Sequence, residues 1–216
     1  MPNRVSPFLA ALAVMSAPAF AETEISVYGG VQTAPHSSVS GTRADGTSFR
    51  ENIGWDGKSL SMPIYYGVRA MWWQPSNIAF GVELTHSKFY APVGDMPAGF
   101  SRLEFTDGQN IITANVMKRW PLLWAGRFTP YAGAGLGIAV PHVDVTENGN
   151  RTYGYQYTGP ALRVTAGTTY DLNDRWSVFG EYQFVISDNE TDLEGGGSLD
   201  ATLISNAINL GVSFRF

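Results

Sequence analysis

Residues 203–216, LISNAINLGVSFRF, alternate with a period of two. From Ile204 onward every second position is Ile204, Asn206, Ile208, Leu210, Val212, Phe214 and Phe216. The positions between them are Ser205, Ala207, Asn209, Gly211, Ser213 and Arg215. Successive side chains of a strand point to opposite faces, so this pattern specifies a strand with one apolar face and one small or polar face. The same alternation returns in segments 25–33, 64–73, 78–90, 111–120, 129–140, 155–170 and 176–187. In the second of these, Ile64, Tyr66, Val68, Ala70 and Trp72 oppose Tyr65, Gly67, Arg69 and Met71.

Eight strands with an apolar stripe each must bury that stripe or place it in lipid. The connections decide between the two. They run long, short, long, short, long, short, long, as expected of a barrel with short periplasmic turns and longer extracellular loops. Gln74-Pro75-Ser76-Asn77 and Asp171-Leu172-Asn173-Asp174 have the residue chemistry of tight turns. Trp72, Trp73, Trp120, Trp124 and Trp176 all fall beside the short connections, which predicts an aromatic girdle at one rim. The fold expected is all-β, an eight-stranded antiparallel transmembrane β-barrel resembling the membrane domains of OmpA and OmpX. The terminal Phe216 and Phe214 resemble the C-terminal signal of bacterial outer-membrane barrels, which implies the barrel-assembly machinery as a partner of the last strand.

The other end of the chain fits export. Arg4 gives a positive start, residues 8–15 an apolar stretch, and Ala19-Phe20-Ala21 a small-x-small cleavage site. Residues 1–21 are therefore expected to be a signal peptide, and residues 22–216 the outer-membrane barrel. The chain has no Cys, so disulfide and thiol chemistry are excluded. Charged residues make up only 15% and the net charge is −5, which argues against a nucleic-acid partner. Gly133, Gly135 and Gly137 form no nucleotide fingerprint, because no helix follows them; they read as lumen positions beside large neighbours. No nucleotide or flavin cofactor is expected, and the barrel is expected to be a monomer.

An eight-stranded barrel is filled by its own side chains, so pore activity is not expected. Arg69, Glu83, Arg163, Glu181 and Arg215 fall on inward faces and should pair with one another, since an isolated buried charge is costly.

Functional chemistry is expected at the long-loop rim. All three histidines of the chain lie there: His36 in Ala34-Pro35-His36-Ser37, His86 in Leu84-Thr85-His86-Ser87, and His142 in Val140-Pro141-His142-Val143. Glu104, Asp107 and Asp144 are near in sequence. Histidine and carboxylate together suit a divalent metal ion, with His36, His86 and His142 as ligands. Alternatively one histidine serves as a general base. Strict alternation puts His86 on the lipid face, so it needs a bulge to join such a site. Arg43, Arg50, Lys58, Lys88 and Arg102 lie in or beside the loops and could pair with phosphates.

Several stretches resemble the lipid A oxidase family of α-proteobacterial outer-membrane proteins. They include Val27-Tyr28-Gly29-Gly30, Pro35-His36-Ser37, Leu103-Glu104-Phe105-Thr106-Asp107-Gly108, Pro141-His142-Val143 and Leu172-Asn173-Asp174-Arg175-Trp176. The resemblance implies an outer-leaflet enzyme that oxidises the proximal glucosamine of lipid A, within lipopolysaccharide, to 2-aminogluconate. It also implies oxygen consumption, hydrogen peroxide release and dependence on a divalent cation. His36, His142, Glu104 and Asp107 are the candidate catalytic residues, on the rim argument alone. Two other readings stand beside it: lipid A deacylation or acyl transfer, and a non-enzymatic structural or adhesive barrel.

Overall fold

The computed structural model describes residues 22–121 and 127–216. The expected signal peptide and Trp124 lie outside the described residues. Among the described residues, the strands in chain order are β1 (Glu22–Arg43), β2 (Ser48–Trp55), β3 (Tyr66–Trp73), β4 (Ile78–Tyr90) and β5 (Phe100–Arg119). They continue with β6 (Phe128–Glu147), β7 (Asn150–Tyr155), β8 (Gly159–Asp171), β9 (Trp176–Asp192) and β10 (Gly197–Arg215). β1, β3, β4, β5, β6, β8, β9 and β10 pair antiparallel in that order, and β10 returns to β1 with Phe214 opposite Ile25. The barrel is closed, so every strand in the ring has two neighbours. β2 pairs with β1 and β7 with β6, both above the ring proper.

Alternation sorts the side chains as expected. Val27, Val68, Val82, Val116, Val164, Val178, Ile208 and Val212 are exposed on the outside. They form an apolar band that ends at Tyr66, Ile64 and Ile138 on one side and at Trp120, Trp176 and Phe128 on the other. Trp176 packs on Phe214, and Phe214 on Phe216. Trp73 departs from the expected girdle. It follows Trp72 in the strand and therefore points inward, where it is 3% exposed and lies under the Arg119 guanidinium.

The interior of the band is polar. Arg69 Nη1 lies 3.0 Å from Glu181 and 3.7 Å from Glu83, and Arg163 pairs with Glu83. Tyr131 donates to Glu181 at 2.7 Å, and Gln183 Nε2 to Glu83 at 2.9 Å. Charged groups this deep persist because each has a partner of opposite sign and further hydrogen bonds. Arg215 sits nearer the rim, paired with Glu24 and Asp171. Gly135 makes room for Asn115, and Gly67 for the Tyr28 ring, as a Cβ at either position would overlap them.

Above the band the pattern inverts, and here the structure corrects the loops expected from sequence. Where the sequence predicts a polar loop over residues 37–59, residues 37–43 continue β1 and residues 48–55 turn back as β2. The β5 and β6 strands likewise extend past their expected ends, and β9 and β10 meet in a short turn. The reason is a second core. Val39, Ile53, Trp55, Phe89, Leu103, Phe105, Val143, Val145, Leu199 and Leu203 are buried together inside this upper part. Sparse apolar residues among Ser, Gly and Thr look like loop in one dimension; at a period of two they all face inward.

One stretch of wall lacks a ladder. β1 pairs with β3 only up to Gly29 opposite Tyr66, and with β2 only from Ala34 opposite Trp55. β4 loses β3 after His86, and its next partner on that side is Asp56, opposite Tyr90. Residues 57–65 fill the break. Ser59 Oγ accepts from the Gln32 amide at 2.8 Å, Gln32 Nε2 donates to the Lys88 carbonyl at 2.6 Å, and Lys88 Nζ donates to the Ser61 carbonyl at 2.6 Å.

Candidate functional site

The upper parts of β5, β6 and β7 carry a polar cluster on their outer face. Leu103, Phe105, Val143 and Val145 turn into the upper core, so Glu104, His142 and Asp144 between them face outward. Glu104 lies directly opposite Asp144 in the β5–β6 ladder, and Tyr153 of β7 lies opposite Asp144 on its other side. β5 bulges between Phe105 and Gln109, and Gly108 takes φ 109° there. That is a left-handed conformation glycine adopts readily. The bulge carries Asp107 out to the same face.

His142 is 6% exposed, held edge-on between the rings of Tyr153 and Tyr155 at 4.4 and 4.9 Å. Its Nδ1 lies 4.0 Å from Asp107 Oδ2 and has no hydrogen-bond partner. Tyr155 Oη donates to the Asp107 carbonyl at 3.0 Å, which fixes the bulge from above.

His86 flanks the bulge on the other side. The irregularity in β4 comes after it, at residues 87–89, so His86 keeps the outward face that alternation assigns. It is nonetheless 5% exposed, stacked on Tyr66 at 5.1 Å and covered by Gly108, with Nδ1 3.1 Å from Asn110 Oδ1. Its Nε2 is buried without a partner.

His36 lies elsewhere. It sits exposed at the β1 irregularity, with its ring over Gly54 and beside the Asp95 carboxylate that accepts from the Gly54 amide at 3.1 Å. The three histidines therefore share the rim but not one site. Among the described residues no three His, Asp or Glu side chains are grouped so as to hold a metal ion.

Asp144 is the electrostatic centre. Arg151 donates to it twice, at 2.8 and 2.9 Å, and Arg102 once, at 2.7 Å. Burial acts against its charge, but the hydrogen bonds of Arg151 and Arg102 outweigh it and hold the carboxyl below its ordinary range. Glu104, with only Arg102 at 3.7 Å, is pushed the other way by burial. Arg151, Tyr153 and Tyr155 were not singled out from sequence. Their alternation in Arg151-Thr152-Tyr153-Gly154-Tyr155 is the available signal; the sequence instead predicts a connection up to residue 154 and a strand from Tyr155, whereas Tyr155 ends β7 and β8 begins at Gly159.

The family model described as the outer membrane protein beta-barrel domain matches residues 8–216. Among solved structures, the chain is similar to Neisserial surface protein A at 15% identity and a TM-score of 0.51, covering 90% of this chain and 97% of that one. It is similar to the outer membrane protein OprG from Pseudomonas aeruginosa at 13% identity and a TM-score of 0.55, covering 90% and 95%. The outer membrane protein AlkL, solved in lipid bilayers, matches at 16% identity and a TM-score of 0.50, covering 90% of each chain. At such identities the likeness is one of fold. No curated protein is matched by the sequence.

Proposed function

From its place in the outer membrane protein beta-barrel domain family, to which this chain belongs, we propose that it modifies lipid A in the outer leaflet, by oxidising the proximal glucosamine to 2-aminogluconate. That the protein is an antiparallel barrel of the outer membrane is the premise; the reaction is the proposal. The observation that supports it is the His142–Asp107 pair, with an unpartnered Nδ1, on the outer wall just above the apolar band. A lipid whose acyl chains lie against that band would bring its sugars to this height.

In the proposed reaction, on lipid A whose proximal anomeric hydroxyl is free, the C–H and O–H bonds of the hemiacetal break and two electrons and two protons pass to oxygen, leaving a lactone and hydrogen peroxide. Water then opens the lactone. His142 is suited to take the proton from the hemiacetal hydroxyl, and Asp107 to orient the imidazole and stabilise its charged form. Glu104, on the same outer face, is placed to accept from a sugar hydroxyl. Alternatively, of the three histidines expected to hold a divalent ion, His142 with Asp107 would hold it in place of acting as a base, with water or lipid oxygens at the other positions, and the ion would polarise the sugar hydroxyl. His36 takes no part in this arrangement.

Mass spectra of lipid A from cells expressing the wild type, His142→Ala, Asp107→Asn and His36→Ala test the reading. A gain of one oxygen with wild type and His36→Ala, lost in the other two, is expected. Loss of an acyl chain would replace oxidation by deacylation. An unchanged spectrum with the barrel inserted, in a strain making suitable lipid A, would sink the enzyme reading and leave a structural or adhesive barrel.

A further inference from the structure

We propose that residues 57–65, which fill the break in the wall between β1 and β4, form a docking wedge for a phosphate-bearing lipid of the outer leaflet. Acyl chains lie against Leu60, Met62 and Ile64, and the phosphate against Lys58, with the buried Lys88 ammonium behind the wedge. The inference rests on the outer-membrane setting and not on the reaction proposed above.

The apolar half of the argument is continuity. Ile64 is two residues before Tyr66 and four before Val68, all three outward, so the apolar band of β3 runs without interruption into the segment. Leu60 and Met62 are then 79% and 82% exposed, among the most exposed large apolar side chains described. They do not turn into the upper core, although that core is close by through Trp55 and Phe89. Apolar side chains that extend a lipid-facing band outward, at its upper edge, are placed for the same solvent as the band. On β1, Val31 is exposed beside them and carries the band along the other side of the break.

The polar half is a pair of cations without counter-ions. Lys58 Nζ lies 4.1 Å above the Tyr90 ring, and Lys88 Nζ lies 5.7 Å from the same ring. Among the described residues neither ammonium has a carboxylate within ion-pair distance; the carboxylates that act on them, Glu104 on Lys58 and Asp107 on Lys88, do so only through space. Of the other cations of the rim, Arg43 pairs with Glu147, and Arg102 and Arg151 with Asp144, while Arg50 bonds only to Ser38 Oγ on the β1–β2 hairpin. Lys88 is the more telling. It is 1% exposed and its ammonium has one hydrogen bond, to the Ser61 carbonyl of the wedge itself. Two like charges around one ring, one of them buried under the wedge, are stabilised by an incoming phosphate that contacts Lys58 and lies in the field of Lys88 behind it.

The chain contains no Cys, so a single reporter can be placed without removing anything. Leu60→Cys and Met62→Cys would carry an environment-sensitive fluorophore in phosphatidylcholine vesicles containing doxyl-labelled lipid. Val27→Cys on the band and Asp45→Cys at the β1–β2 turn are the quenched and unquenched references. Quenching at positions 60 and 62 close to that at 27 is expected; values like those at 45 would overturn the wedge.

Doxyl phosphatidic acid is then compared with doxyl phosphatidylcholine at equal mole fraction. Quenching at position 60 should favour the phosphatidic acid by about fivefold per lysine. Lys58→Gln, an exposed position that leaves the fold alone, should remove about fivefold of that preference. Equal quenching by the two lipids, or a preference that Lys58→Gln does not change, overturns the phosphate site. Inorganic phosphate in the buffer should leave the preference intact; its abolition would mean a site for free anions, and the lipid assignment would fall.

Discussion

Gln32 of β1 donates its side-chain amide to the carbonyl of Lys88 on β4 at 2.6 Å, joining two strands that share no ladder. The Gln32 side-chain oxygen also accepts from Ser205 at 3.3 Å, so one residue ties β1, β4 and β10 together at the break. Gln32→Leu keeps the volume and strands a buried carbonyl, which costs about 1–3 kcal/mol. The unfolding temperature of the barrel, read from its heat-dependent migration on a detergent gel, should fall accordingly. Unfolding at the wild-type temperature would show that the break needs no such tie.

The interior charges behave as a set. Arg163→Leu leaves Glu83 with the more distant Arg69 and its neutral donors, and a cost of about 3–5 kcal/mol follows from the uncompensated charge. Replacing both, as Arg163→Leu with Glu83→Leu, leaves Arg69 paired with Glu181 and should restore most of that loss. Denaturant unfolding in vesicles measures the double variant and each of the two single variants, Arg163→Leu and Glu83→Leu. A double variant as unstable as the sum of the singles would refute the pairing.

Glu104 and Asp144, opposite each other above the membrane, should show opposite pH dependences. Asp144 is held below its ordinary value, so the stability it supplies is complete above about pH 3.8 and is lost as pH falls through its lowered value. Glu104 is raised, so its ionisation opposes folding; its contribution is favourable below about pH 4.5 and disappears as pH rises through its raised value. At neutral pH, Asp144→Asn should lower the unfolding temperature and Glu104→Gln should leave it unchanged or raise it. Both differences should vanish in strong acid. A fall for both variants at neutral pH would contradict the assignment.

Tyr155→Phe removes the hydroxyl that holds the Asp107 carbonyl but leaves the ring against His142. If the bulge positions Asp107 for chemistry, lipid A modification should fall by about fivefold, the worth of one hydrogen bond, with barrel stability little changed. Activity equal to wild type would separate Asp107 from the reaction.

Much of this protein is written at a period of two. The pattern of Ile204 to Phe216, repeated through the chain, sorts Val27 and Val82 outward and Arg69, Glu83 and Arg163 inward without help from any partner strand. Trp73 shows that the pattern outranks composition: its place beside a short turn suggested a girdle, and its parity put it inside. His86 kept its outward face for the same reason. This much is local, because the pleat of a single strand decides to which side each residue points.

Neighbourhood is different. That Val39, Ile53 and Leu199 form an upper core, so that apparent loops continue as strands, depends on which segments lie side by side. That Asp107 reaches His142 while His36 ends beside Asp95 depends on bulges in β1 and β5. Lys88 meets Ser61 only because β1 and β4 fail to pair there. Closing the barrel sets the register of all the strands together, and residues distant in the chain become neighbours through that closure. Within the regular strands sequence alone therefore determined which face a residue takes, and the tertiary structure decided where strands bulge or continue and which residues meet.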